Sequence, residues 1–169
     1  MKRRSLLKLG LGGAVVLAVA GTGIGLIRPG FKDGRMSEAT RAWMGAVALA
    51  LLDGAWPAPG PARDRALQAH LAALDQTMAG FTVPVRQELS QLFSLLNGSA
   101  GRLGLTGLLH DWSACSSADI LAALDAMRHS GLALKQQAYH ALRDLNYGVF
   151  FADPAHWSLM GYPGPREIA

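Results

Sequence analysis

Apolar side chains recur at intervals of three or four residues in five separate stretches between residues 37 and 147. That spacing places the apolar positions on one face of an α-helix, so the pattern predicts five helices. Their expected ranges are Ser37–Leu52, Ala62–Met78, Thr82–Asn97, Ser116–Met127 and Leu132–Tyr147. Residues 99–112 stay ambiguous, because glycines that weaken a helix interrupt their leucines. Strong alternation of apolar and polar residues, which is typical of a β-strand, occurs nowhere in the chain.

Glycine, proline and asparagine mark the breaks between these helices. The stretch over residues 55–61 reads Ala-Trp-Pro-Ala-Pro-Gly-Pro. It cannot continue a helix, because proline lacks the backbone donor and clashes with the preceding turn. We therefore expect a rigid loop, in which Trp56 covers the end of the first helix rather than serving as a platform for a ligand.

These patterns predict an all-α fold, a small bundle of about five helices. We expect a signal or anchor helix over residues 1–29, a polar linker over 30–36, and the helical domain over 37–147. Residues 148–169 form an extended tail in this interpretation, rich in aromatic residues, proline and glycine. With 169 residues, more than one sizeable domain is not expected.

The N-terminus carries two adjacent arginines, two leucines and a lysine ahead of a mildly hydrophobic run over residues 9–27. The signal residues are Arg3, Arg4, Leu6, Leu7 and Lys8. This segment resembles a twin-arginine export signal. The resemblance implies passage through the twin-arginine translocase, which carries folded proteins, and a location in the bacterial periplasm. An ordinary signal or anchor with two chance arginines is the alternative.

The fate of this leader is open on sequence grounds. Ala18-Val19-Ala20 fits a cleavage site between small residues, which would release the chain after Ala20. However, the stretch from Leu6 to Ile27 has 22 residues, enough to cross the hydrocarbon core of a bilayer. We slightly favour an uncleaved anchor, which would hold the protein at the inner membrane.

The net charge of +4 is concentrated in this leader. Residues 1–35 hold seven basic and one acidic side chain, whereas residues 36–169 hold nine basic and eleven acidic ones. A nucleic-acid-binding protein needs positive charge on its folded surface. We therefore expect no nucleic-acid partner.

Few residues in the sequence form patterns typical of catalysis, cofactor binding or metal binding. The single cysteine, Cys115, excludes an internal disulfide and, within one chain, a cysteine-ligated iron–sulfur or cysteine-rich zinc site. Motifs for haem attachment, dinucleotide binding, a His-Glu-x-x-His zinc site or a nucleophilic serine are missing from the sequence. We expect no catalytic residue, cofactor or metal in this chain. The alternative is a stand-alone periplasmic helical enzyme or metal-binding protein that gathers His110, Asp111, His140 and His156.

The C-terminal segment is unusually aromatic for a chain end, where disorder is common. We expect it to pack on its own helices and also to dock on a partner, since aromatic residues and methionine are enriched at interface cores. The predicted partner-binding residues are Tyr147, Phe150, Phe151, Asp153, Pro154, Trp157, Met160, Gly161, Tyr162 and Pro163. Asp153 is expected to turn the tail through its carboxylate and the following proline.

Two blocks in this tail carry a family resemblance. Phe150-Phe151-Ala152-Asp153-Pro154 and Gly161-Tyr162-Pro163-Gly164 resemble the C-terminal blocks of the small subunit of membrane-bound gluconate 2-dehydrogenase and its relatives. The close match covers about the last 20 residues. Between the blocks, residues 155–160 replace the family's usual Gly- and Asn-rich stretch.

The resemblance implies an accessory role. In that family the large subunit is an FAD-containing oxidoreductase of the glucose–methanol–choline type, which oxidises an alcohol, a sugar or a sugar acid. It often passes electrons to a cytochrome c subunit. By this resemblance the present chain is a non-catalytic small subunit that aids export, stability and membrane attachment, with FAD in its partner.

Overall fold

The computed structural model describes residues 29–165. The elements are β1 (Phe31–Lys32), β2 (Arg35–Met36), α1 (Glu38–Leu51), α2 (Pro61–Ala79), α3 (Val83–Asn97), α4 (Ser99–Thr106), α5 (Ser117–Arg128) and α6 (Ala133–Ala152), with 3₁₀ helices at Trp112–Ala114 and Pro154–Met160. The predicted leader, with its signal residues Arg3, Arg4, Leu6, Leu7 and Lys8, lies outside the described residues. No helix within residues 29–165 is long and apolar enough to cross a membrane.

The expected all-α bundle is confirmed, with α1 at its centre. This helix contacts α2, α3, α5 and α6. Its side chains Met44 and Val47 are fully buried, and the apolar stripes of the surrounding helices close around them. The start of α1 follows from the sequence, since the Ser37 hydroxyl accepts a hydrogen bond from the Thr40 backbone N–H at 3.2 Å.

The prediction of a polar linker over residues 30–36 is wrong. These residues form a two-stranded antiparallel hairpin that closes with a tight turn at Asp33 and Gly34, both with positive φ. Phe31 and Met36 are buried in the core. Gly30 lies so close to Phe93 that a Cβ at this position would collide with it. Strands of two residues are too short to show an alternating pattern, so the local sign of the hairpin in the sequence is the Asp33-Gly34 dipeptide, which is typical of tight hairpin turns.

The ambiguous segment contains a short helix. The α4 helix ends where Gly107 adopts a left-handed conformation with φ of 79°. The following loop is held by Asp111, which accepts a hydrogen bond from the buried guanidinium of Arg102. Trp112 then stacks on Trp43 at 5.4 Å between ring centroids. Tertiary contacts therefore offset the cost of the glycines in this segment.

The last helix is longer than predicted, and the tail is not extended. The α6 helix continues past the expected boundary at Tyr147 to Ala152 and takes in the first aromatic block. It ends there because Pro154 disfavours a helical conformation at Asp153, whose ψ is 120°. A 3₁₀ helix then folds the tail back.

Candidate functional site

A cleft lies where the tail meets the bundle. It has a volume of about 860 Å³ and lies between the proline-rich loop, α2, the end of α6 and the second 3₁₀ helix. We call it the aromatic groove. Its lining comprises Gly54, Ala55, Trp56, Pro57, Ala66, Ala69, His70, Ala73, Val149, Phe150, Asp153, Ala155, His156, Ser158 and Leu159.

His70, which lines this groove, pairs with a buried polar side chain, Asn146. His70 Nε2 lies 3.1 Å from Asn146 Oδ1. The amide nitrogen of Asn146 donates to the Leu142 carbonyl at 2.8 Å, which turns the amide oxygen towards the histidine. Because that oxygen only accepts, His70 donates from Nε2 and its Nδ1 carries the lone pair. No other partner of the His70 ring nitrogens occurs among the described residues.

Burial governs the protonation of His70. The residue is only 7% exposed, and desolvation lowers its pKa below the ordinary value of 6.5. The hydrogen bond with Asn146 acts in the opposite direction, and the nearby His156 lowers the pKa further. His70 is therefore a neutral imidazole at pH 7.

His156 also lines the groove. Its Nδ1 donates to the Phe150 carbonyl at 2.6 Å, and its ring stacks on the Phe150 ring with centroids 3.8 Å apart. When the ring is neutral, this donation leaves the Nε2 lone pair without a partner in the described part of the chain. The groove therefore presents two imidazole nitrogens that can accept hydrogen bonds.

Trp56 covers the end of α1, as the sequence analysis expected. Its indole N–H donates to the Ala48 carbonyl at 3.2 Å. The edge of the ring packs against His70 and Phe150, with centroid distances of 5.6 and 5.4 Å. The indole donor is thus used within the fold, while the ring lines the groove.

The predicted role of Asp153 as a turn residue is confirmed. Its Oδ1 accepts a hydrogen bond from the Ala155 backbone N–H at 2.9 Å and caps the second 3₁₀ helix, whose first residue is Pro154. That helix ends at Gly161, which takes a left-handed conformation with φ of 69°. The two tail blocks therefore begin and end one compact turn.

The structure divides the predicted partner-binding residues between the interior and the surface. Phe150 is 3% exposed and belongs to the core, so it anchors the tail. Phe151 and Trp157 are half-buried, and the Trp157 indole donates to the Phe151 carbonyl at 2.9 Å. Residues on the outer side, which we call the tail surface, are exposed: Tyr147, Leu159, Met160, Tyr162 and Pro163.

The alternative function, a metal-binding protein, would require a cluster of metal ligands. Within residues 29–165, no group of three or more histidine, cysteine, aspartate or glutamate side chains is placed to hold a metal ion. Asp111 forms an ion pair with Arg102, and His156 uses its Nδ1 for the Phe150 carbonyl. His140 is exposed on α6.

Sequence reasoning missed the His70–Asn146 pair. The available signal was a polar residue inside an apolar stripe: His70 precedes Leu71 on α2, and Asn146 follows Leu145 on α6. Neither position reveals its partner, because 76 residues separate the two in the chain.

Comparison with known proteins identifies no relative. No protein-family model, curated protein or solved structure matches this chain.

Proposed function

We propose that this chain is the non-catalytic small subunit of a periplasmic flavin-dependent dehydrogenase that oxidises an alcohol, a sugar or a sugar acid. In this proposal the large partner subunit carries FAD and the catalytic residues, and a cytochrome c subunit can accept its electrons. The small subunit supplies the twin-arginine signal, stabilises the large subunit and attaches it to the inner membrane.

The observation that carries the proposal is the exposed apolar tail bounded by the two sequence blocks. Leu159, Met160 and Tyr162 are 56%, 52% and 46% exposed, and Tyr147 is 38% exposed. Several large apolar side chains left exposed within one short segment favour an interaction site. Methionine and tyrosine are also enriched at interface cores. The tail is held in a defined conformation by Asp153 and Phe150, so docking would not require it to fold first.

Purification of the tagged full-length chain from its native membranes in mild detergent tests this assignment. We expect a large co-purifying subunit, a flavin absorption spectrum, and bleaching of that spectrum by a sugar, a sugar acid or an alcohol. A single colourless small band that is stable alone would refute the proposal.

Point substitutions on the tail surface locate the interface. Point substitutions are preferable to deletion of the tail from Asn146 onwards, because Asn146 and Phe150 are buried in the core and their loss would disturb the fold. Met160→Asp leaves the core intact and is expected to weaken retention of the large subunit by about tenfold or more. The matched control is Leu109→Asp, which places the same charge on a side chain that is 75% exposed elsewhere. Equal retention by both variants would exclude the tail surface as the interface.

A further inference from the structure

We propose that the aromatic groove binds a guanidinium or ammonium group, presented by an arginine or lysine side chain of the partner subunit. The identity of the partner rests on the proposed function, whereas the chemistry of the ligand rests on the groove itself. Four features of the groove carry the inference: its hydrogen-bonding polarity, its charge, its aromatic wall and its size.

The free ring nitrogens of the two histidines that line the groove are acceptors when both rings are neutral. His70 and His156 each use one ring nitrogen as a donor within the fold, which leaves the other as an acceptor. The Trp56 indole donor is used by the Ala48 carbonyl. The Ser158 hydroxyl can accept or donate. A ligand that fits this set must therefore bring hydrogen-bond donors.

The charge of the groove favours a cation. Of the described residues that line it, Asp153 alone carries a formal charge at pH 7 when the two histidines are neutral. The C-terminal end of α6 borders the groove, since Val149 and Phe150 belong to its last turn and line it, although the Phe150 and Phe151 carbonyls already accept from His156 and Trp157. The C-terminus of a helix carries partial negative charge, which attracts cations and repels anions. A carboxylate or phosphate ligand is therefore disfavoured.

The walls suit the aliphatic stem of a basic side chain. The half-buried ring of Trp56 offers apolar surface to the groove and can interact with a cation through its face. The α2 side of the groove is lined by Ala66, Ala69 and Ala73, whose small side chains leave space. The volume of about 860 Å³ lies within the usual range of ligand pockets. Arginine and lysine combine such a stem with a donor-rich head.

Titration of the full-length protein in mild detergent with n-butylguanidinium tests the chemistry. The matched probe n-butylurea has a similar shape and no charge. We expect saturable NMR shifts of the His70 and His156 rings with the cation, and binding at least about tenfold weaker with the urea. No shift, or equal binding of both probes, would overturn the inference.

Asp153→Asn provides the matched variant, because asparagine also caps a helix while the charge is removed. We expect about fivefold weaker binding of n-butylguanidinium. Asp144→Asn is the control, since Asp144 is exposed on α6 and does not line the groove. The same affinity in both variants would contradict the assignment of Asp153.

Co-purification separates this inference from the proposed function. We expect the large flavoprotein to dissociate from Asp153→Asn at a lower NaCl concentration than from Asp144→Asn, because salt screens a charge contact. Equal release from the two variants would overturn the inference and leave the proposed function standing. If no flavoprotein accompanies the wild-type chain, both the proposed function and the partner named here are refuted. The titration with n-butylguanidinium still decides the chemistry of the groove.

Discussion

Protonation of His70 should make the stability of the fold depend on pH. The imidazole is buried beneath Trp56 and donates to Asn146, and its pKa is lowered mainly by desolvation. The unfolded chain has the ordinary histidine pKa of about 6.5. Below that pH His70 binds a proton in the unfolded state, whereas its lowered pKa keeps it neutral in the folded state. The stabilising effect of the neutral histidine is therefore complete above pH 6.5 and is lost as the pH falls towards the folded-state pKa.

The change in the free energy of unfolding with pH has an upper limit. One proton gives a slope of at most about 1.4 kcal/mol per pH unit. At pH 5.5 an unfolded histidine is about nine-tenths protonated, so the free energy of unfolding should fall by up to about 1.4 kcal/mol between pH 7.5 and 5.5. For a domain of this size, that change lowers Tm by roughly 3–6 °C.

Urea unfolding of the full-length chain in nonionic detergent, followed by circular dichroism at both pH values, measures this effect. His70→Gln keeps a donor for Asn146 but cannot titrate, so its loss of stability between the two pH values should be smaller than that of the wild type. His140→Gln, at an exposed position on α6, controls for the removal of any histidine. If His70→Gln loses as much stability as the wild type, the reasoning is wrong.

Three further substitutions test the packing. Asn146→Ala removes the acceptor of His70 and opens a cavity in the core, so it should lower the free energy of unfolding by about 2–4 kcal/mol in urea titrations; a loss below about 1 kcal/mol would contradict the importance of the pair. On α4, Gly101→Ala would place a methyl group against the Leu95 carbonyl and should destabilise the fold, whereas Gly104→Ala meets open space and should stabilise it by about 0.5–1 kcal/mol. Thermal unfolding of the two glycine variants checks that their changes in stability have opposite signs. A change of the same sign in both would refute the close contact between residue 101 and the Leu95 carbonyl.

The helices could be predicted because their signals are local. The stripe of α3 is an example: Leu89, Leu92, Phe93 and Leu96 are all buried, as their spacing predicts. The capping box at Ser116 marks the start of α5 in the same way. Such signals act over three or four residues, so they can be recognised without knowledge of the rest of the fold.

The end of α6 shows where local reasoning fails. The range expected from the sequence ends at Tyr147, yet the helix runs to Ala152. Phe150 gains burial against Trp56 and His70 only if the helix continues. Packing against α2 and the proline-rich loop therefore outweighs the weak local preference.

The sequence by itself determined the all-α class, most helix boundaries, the turn at Asp153 and the aromatic character of the tail. Only the tertiary structure decided that residues 30–36 form a hairpin and that Phe150 is an anchor. It also decided that His70 and His156 line one groove. The physical reason is distance along the chain: capping and amphipathic periodicity operate between near neighbours, whereas a groove depends on groups brought together from segments many tens of residues apart.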